Sequence, residues 1–240
     1  VFVSALVLGV GFAWRSRTAR EPLVDRGLAR IRNFDVACAV FTVSMVGFFG
    51  YTLNNALFLT GEWHYSLAQA GGAMTPAAII GFVLARPSSK LVARHGFRPV
   101  LVLATALWGL GVLLLSLLTT ANSDFLGVWL PVNALMGAAG GVVVANGGTA
   151  ITSAAPGQRF ATANAIRTVL RAVGGALGVA AAAAVLTGHS TRPLAGFQSA
   201  WLFGACCLFA AALGYIALGD YGRAAVAVAP AAGSTGTARR

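Results

Sequence analysis

Residues Arg86 to Leu118 read RPSSKLVARHGFRPVLVLATALWGLGVLLLSLL. Four basic side chains, Arg86, Lys90, Arg94 and Arg98, crowd its first part, and no charged residue follows from Val100 to Leu118. About 20 consecutive apolar residues are what a helix needs to cross the hydrocarbon core of a bilayer, and short Lys/Arg-rich loops stay on the cytoplasmic side. The stretch therefore reads as a cytoplasmic connection running into a membrane span.

The same contrast repeats along the chain. Seven hydrophilic segments separate the apolar runs, and their Lys+Arg counts in order are 6 (Arg15 to Arg32), 0 (around Glu62), 4 (Arg86 to Arg98), 0 (around Asp124), 3 (Arg159 to Arg171), 1 (Arg192) and 3 (Arg223 to Arg240). Odd segments hold 16 and even segments 1. This alternation puts the odd segments, including the C-terminus, in the cytoplasm and the even ones outside.

Composition reaches the same class independently, with 58% hydrophobic and 10% charged residues, too few charges to cover a soluble domain of this size. The net charge of +11 flanks apolar spans instead of clustering on one soluble face. It therefore fits attraction to the anionic leaflet of a lipid bilayer and not nucleic-acid binding. Cys38, Cys206 and Cys207 sit inside apolar runs without ligand spacing, so they read as small packing residues, and neither a metal nor a cofactor is expected.

Val1 to Trp14 is too short to span and reads as the end of a truncated helix, which implies a missing upstream part. Residues 15–33 form a cytoplasmic linker, either an interfacial amphipathic helix or irregular chain. Six spans follow within residues 34–219, at about Phe34 to Leu59, Leu67 to Ala85, Phe97 to Leu118, Phe125 to Ala150, Thr168 to Thr187 and Ser199 to Gly219. Each must be helical, because hydrocarbon offers no partner to backbone N–H and C=O groups. Residues 220–240, rich in Ala, Gly, Ser and Thr, read as a disordered cytoplasmic tail. The expected fold is thus an all-α integral membrane protein with a six-helix transmembrane bundle.

Polar groups at membrane depth mark the candidate site, since each requires a partner or a wet cavity. Asn54 and Asn55 lie in the first span and Asn133 and Asn146 in the fourth, while the other four spans have no Asn. Ser44, Phe48, Tyr51, Asn55 and Phe58 recur at helical spacing and form a polar and aromatic stripe along one face of the first helix. Such a stripe suits a cavity for amphipathic organic molecules or packing against a neighbouring helix. Asn133 is the preferred cavity residue of the fourth span; Asn146, about 220° away around the helix, suits a bond to a neighbour.

Gly137 and Gly141, and Gly174 and Gly178, form two GxxxG pairs that allow helix backbones to approach closely. Pro76 and Pro131 fall inside spans and are expected to bend them. No carboxylate reaches membrane depth: Asp35 stands at the cytoplasmic start of the first span, and Glu62 and Asp124 are in outer loops. His64, His95 and His189 are in loops too, so neither a proton relay nor a Ser/His constellation is evident, and the chain is not expected to be an enzyme.

Several segments resemble the major facilitator superfamily, specifically the C-terminal half of the fourteen-helix drug:proton antiporters. Arg20-Glu21-Pro22-Leu23-Val24-Asp25 and Leu28-Ala29-Arg30-Ile31-Arg32-Asn33-Phe34 are similar to the family's link into its ninth helix. Tyr65-Ser66-Leu67-Ala68-Gln69-Ala70-Gly71 with Pro76, and Arg171-Ala172-Val173-Gly174-Gly175-Ala176-Leu177-Gly178, resemble the starts of later helices. Ser89-Lys90-Leu91-Val92-Ala93-Arg94-His95-Gly96-Phe97-Arg98 resembles the superfamily's gating loop, with Ser89 in place of its first Gly and Ala93 in place of its Asp. The resemblance implies that Lys90, Arg94, Gly96 and Arg98 belong to that loop and that the first and fourth helices of the half line a central cavity, here with Phe48, Tyr51, Asn54, Asn55, Phe58 and Asn133.

These readings converge on a secondary active transporter of the cell membrane that exports drugs or hydrophobic metabolites in exchange for protons. The resemblance puts the coupling acid in the missing N-terminal half. Carriage of a defined polar metabolite and a non-transporting membrane scaffold are the alternatives. The first favours several buried charges, and the second has no need of Asn confined to two helices.

Overall fold

The computed structural model describes residues 32–120, 122, 124–155, 159–188 and 193–218. The expected truncated helix at 1–14, the tail at 220–240 and all of the linker but its last two residues lie outside them. The described residues form six helices: α1 (Arg32–Gly61), α2 (Leu67–His95), α3 (Phe97–Leu118), α4 (Leu130–Ala154, reached through a π-helical turn at Phe125–Trp129), α5 (Phe160–Gly188) and α6 (Pro193–Ile216). All six spans are long and apolar enough to cross a membrane, and among the described residues there is no strand. The all-helical membrane bundle is the architecture anticipated from the chain.

Local chemistry sets the helix ends. Ser66 caps α2 through a capping box, with its backbone N–H donating to Gln69 Oε1 at 2.9 Å and its hydroxyl accepting from Gln69 N at 3.3 Å. Gly96 alone separates α2 from α3, and its φ of 89° is a conformation that an L side chain resists. Asp124 accepts a 2.8 Å bond from Gly127 N at the start of the π turn, where Trp129 N donates five residues back to Asp124 O.

Three expected boundaries move. The second helix does not stop at Ala85 but continues through Pro87 to His95, the fifth begins at Phe160 instead of Thr168, and the sixth begins at Pro193 instead of Ser199. In α2 and α5, charge ends a hydrophobic run without ending a helix, since long basic side chains remain solvated while the backbone stays hydrogen-bonded; α6 opens earlier with Pro193, whose fixed φ suits a first helical turn. Pro131 lies inside the fourth span, as expected. It stands directly after the π turn, inside a helical run that continues from Phe125 to Ala154, where it has no N–H to donate back to that turn.

The five most extensive helix contacts are α3 with α6, α1 with α5, α2 with α4, α1 with α6, and α3 with α4. Exchanging α1 with α4, α2 with α5 and α3 with α6 leaves that set unchanged, as two inverted three-helix repeats require. Both GxxxG pairs serve these crossings. A Cβ on Gly137 would collide with the Ala77 backbone and one on Gly141 with the Gly81 backbone. On the symmetry-related crossing, a Cβ on Gly174 would lie 2.8 Å from Thr42 O, and one on Gly178 would meet the Val46 carbonyl. Backbones this close gain dispersion contacts that lipid tails cannot supply.

Candidate substrate cavity

The extensive α2–α4 contact and the aromatic face of α1 enclose a cavity of about 420 Å³. From α1 come Phe48, Tyr51, Thr52 and Asn55; from α4, Asn133, Met136, Gly137, Gly140 and neighbours; Trp108 enters from α3. Small residues of α2, Ala77, Ala78 and Gly81 among them, complete the wall. Among the described residues no charged side chain lines it. The volume lies within the range of about 300–1,000 Å³ usual for small-molecule sites.

The rings are ordered by one another. Phe48 and Tyr51 both meet Trp108, with centroids 5.5 and 5.9 Å away, and the Tyr51 contact is edge-to-face. Gly140 makes room for that indole, because a Cβ there would lie 2.9 Å from the ring. Asn55 is buried, and its Oδ1 accepts a 2.7 Å bond from Trp201 Nε1 of α6. Asn133 Nδ2 donates to Trp129 O, one turn back in its own chain, at 3.0 Å.

Phe48, Tyr51, Asn55 and Asn133 are therefore brought together on the cavity wall. Asn54 and Phe58 are not, which corrects their assignment to the site. Asn54 lies about 100° around the helix from Asn55 and faces α6, where its Nδ2 donates to Phe197 O at 2.9 Å. Phe58 lies fully buried among Trp63, Trp129, Phe197 and Trp201, at centroid distances of 5.3, 6.1, 5.4 and 5.0 Å. This cluster caps the bundle at the end that carries Glu62 and Asp124. Trp63 Nε1 donates to Thr120 O and Trp129 Nε1 to Ala73 O, tying four connections and helices together there.

Trp108 was not anticipated as a site residue. Membrane Trp usually sits at the interfaces, so an indole halfway along an apolar span is the signal that marks it. The small face of α2 was missed for a different reason, since alanine and glycine carry no chemistry to notice.

At the opposite, basic end, Lys90 and Arg94 lie exposed on the last turns of α2, Gly96 is buried at the junction, and Arg98 is half-buried in the first turn of α3. The expected gating loop is thus helix on both sides of a single glycine. Ser89, at the motif's glycine position, donates to Asn146 Oδ1 at 3.2 Å, and Asn146 Nδ2 donates to Ser88 Oγ at 2.8 Å. Asn146 bonds its neighbouring helix and stays off the cavity wall. Arg167 of α5 lays its Cδ–Nε–Cζ end over Gly148 of α4, and Arg171 sits 6.0 Å from the centroid of Phe49.

Six apolar helices, four of which line a cavity of ligand size without charged side chains among the described residues, suit a multi-pass membrane carrier of small molecules. The family model described as Major Facilitator Superfamily matches residues 37–237, and the chain belongs to that superfamily of secondary transporters. Comparison with curated proteins finds no match.

Proposed function

We propose that the chain is part of a proton-coupled exporter of drugs or hydrophobic metabolites that works by alternating access in the cell membrane. The observation that carries this reading is the uncharged, ring-lined cavity between α1, α2 and α4, which suits partly apolar organic molecules better than ionised metabolites. Phe48, Tyr51, Asn55 and Asn133 contact the substrate, with Trp108 as the floor of the site. Arg94 and Arg98 sit at the cytoplasmic mouth, where Ala93 in place of an acid leaves their role to topology and positioning. Among the described residues no carboxylate lines the cavity, and the resemblance to the drug:proton antiporters implies that the coupling acid belongs to an N-terminal half of the working transporter.

The test is efflux of a panel of fluorescent hydrophobic dyes from cells expressing the full-length protein. A pH gradient should drive extrusion, and collapsing that gradient with a protonophore should abolish it. Extrusion that persists without the gradient would remove proton coupling from the reading; extrusion of ionised metabolites alone would remove the hydrophobic substrate class.

A further inference from the structure

The structure assigns a chemical demand to the substrate: we propose that the cavity selects molecules bearing a hydrogen-bond acceptor oxygen, such as a ketone or quinone carbonyl on an apolar ring system, which is held by Asn55 and Trp108. This rests on the cavity being the substrate site and goes further by naming what one end of the substrate carries.

The argument begins with Trp201. An indole N–H donates and never accepts, so its 2.7 Å bond to Asn55 fixes which way the amide points. The amide oxygen faces Trp201, and the NH₂ group must face elsewhere. Asn55 is 1% exposed, it lines the cavity, and its Nδ2 has no hydrogen-bond partner among the described residues.

Trp108 presents the same deficit. It is fully buried, it lines the cavity, and its Nε1 also lacks a partner. The Tyr51 hydroxyl lies near this indole, but hydrogen-bond geometry is not reached. Gly140 seats the ring, because a Cβ there would come within 3.3 Å of Nε1 itself.

Both unpartnered buried polar atoms of the lining are therefore donors. Both nitrogens lie just behind the cavity surface, so a ligand oxygen meets them only by entering between the wall side chains; leaving a buried donor unmatched is more costly than making an ordinary hydrogen bond is favourable, so an oxygen that does enter gains more than one that meets solvent. A site built to donate discriminates against an isosteric molecule without the oxygen, since binding that molecule leaves the donors sealed and unpaired. With no charged side chain in the wall, a neutral acceptor is the matching class and a carboxylate is not.

The probes are 9-fluorenone and fluorene, one tricyclic frame bearing either C=O or CH₂. Binding of each tritiated probe to the full-length protein in lipid nanodiscs is measured by equilibrium dialysis, with empty nanodiscs subtracted. The ketone should bind about tenfold more tightly than the hydrocarbon, as hydrogen bonding to otherwise sealed donors implies. In Asn55→Leu the ratio should fall to about threefold, since the Trp108 donor remains. That change also strips Trp201 of its acceptor, so Trp108→Phe, which keeps a ring in place, is measured beside it and should lower the ratio to about threefold. Both variants are checked for a monodisperse, thermally cooperative protein.

Equal binding of the two probes, with both weakened by Tyr51→Ala, would overturn the acceptor preference while retaining the cavity as a binding site. Binding of neither probe sensitive to Tyr51→Ala would overturn the cavity reading and the preference together. A tenfold ratio that survives both Asn55→Leu and Trp108→Phe would also sink the assignment, because the selectivity would then reside elsewhere.

Discussion

Gly50 of α1 and Gly178 of α5 face each other so closely that a Cβ built on Gly50 would lie 3.2 Å from Gly178 O, and one on Gly178 would lie 3.0 Å from Gly50 N. At the α1–α5 crossing Gly178, whose Cβ would also collide with the Val46 carbonyl, has no room for a side chain, and Gly50 has little. Gly178→Leu should destabilise the protein by about 3 kcal/mol or more, the upper part of the range for overpacking. Gly71→Leu, where nothing lies within 4 Å of the added Cβ, is the control and should be tolerated. Thermal melting in detergent decides; equal melting of both variants would show that the crossing relaxes.

Tyr51 and Phe58 share a helix but lie in different settings, and that difference predicts different phenotypes. Tyr51→Ala should change which dyes are extruded at normal protein yield, since the ring borders the cavity. Phe58→Ala should instead lower stability by about 3–5 kcal/mol, the usual cost of emptying a buried aromatic site, because it removes the centre of the Trp63, Trp129, Phe197 and Trp201 cap. Expression-corrected efflux and melting temperature, measured on both, separate the two roles. Loss of yield in Tyr51→Ala in proportion to lost efflux would make that ring structural.

Asn146 links α4 to Ser88 and Ser89 of α2 at the basic end. Asn146→Ala should cost about 1–3 kcal/mol, because buried Ser88 is 5% exposed and loses its side-chain partner. Probe binding in the cavity should be unaltered, since Asn146 is not on its wall. A variant that melts normally yet binds fluorenone poorly would place Asn146 in the site.

Orientation is tested with single cysteines after Cys38, Cys206 and Cys207 have been replaced. Gly61→Cys, at the end bearing Glu62, should react with an impermeant maleimide added to intact cells, and His95→Cys at the basic end should not. Both positions are exposed, whereas a thiol at buried Ser88 would be sealed from either side. Labelling of His95→Cys from outside would invert the transporter and the direction of its mouth.

Asp35 is an exposed acid near the start of α1, far from the cavity wall. Asp35→Asn in the full-length protein should still respond to a pH gradient, as measured by dye efflux with an imposed gradient. A variant that binds dye but ignores the gradient would move coupling into this half.

The sequence by itself determined the class, the number of crossings and one helix face that borders the cavity. Those depend on quantities local in the chain: runs of about 20 apolar residues, arginines between them, and a 3.6-residue periodicity that put Phe48, Tyr51 and Asn55 on one stripe. It also marked the small-residue pairs Gly137 and Gly141, and Gly174 and Gly178, without saying what lay against them.

Only the tertiary structure decided which polar residues face a cavity and which face a partner. Asn54 and Asn55 are adjacent in sequence, yet one bonds the Phe197 carbonyl and the other stands beside Trp108, because a 100° step around α1 puts them against different neighbours. The direction of the Asn55 amide likewise depends on Trp201, 146 residues away, a contact that no local pattern encodes. Periodicity fixes the faces of a helix, but only the packing of six helices gives each face its neighbour.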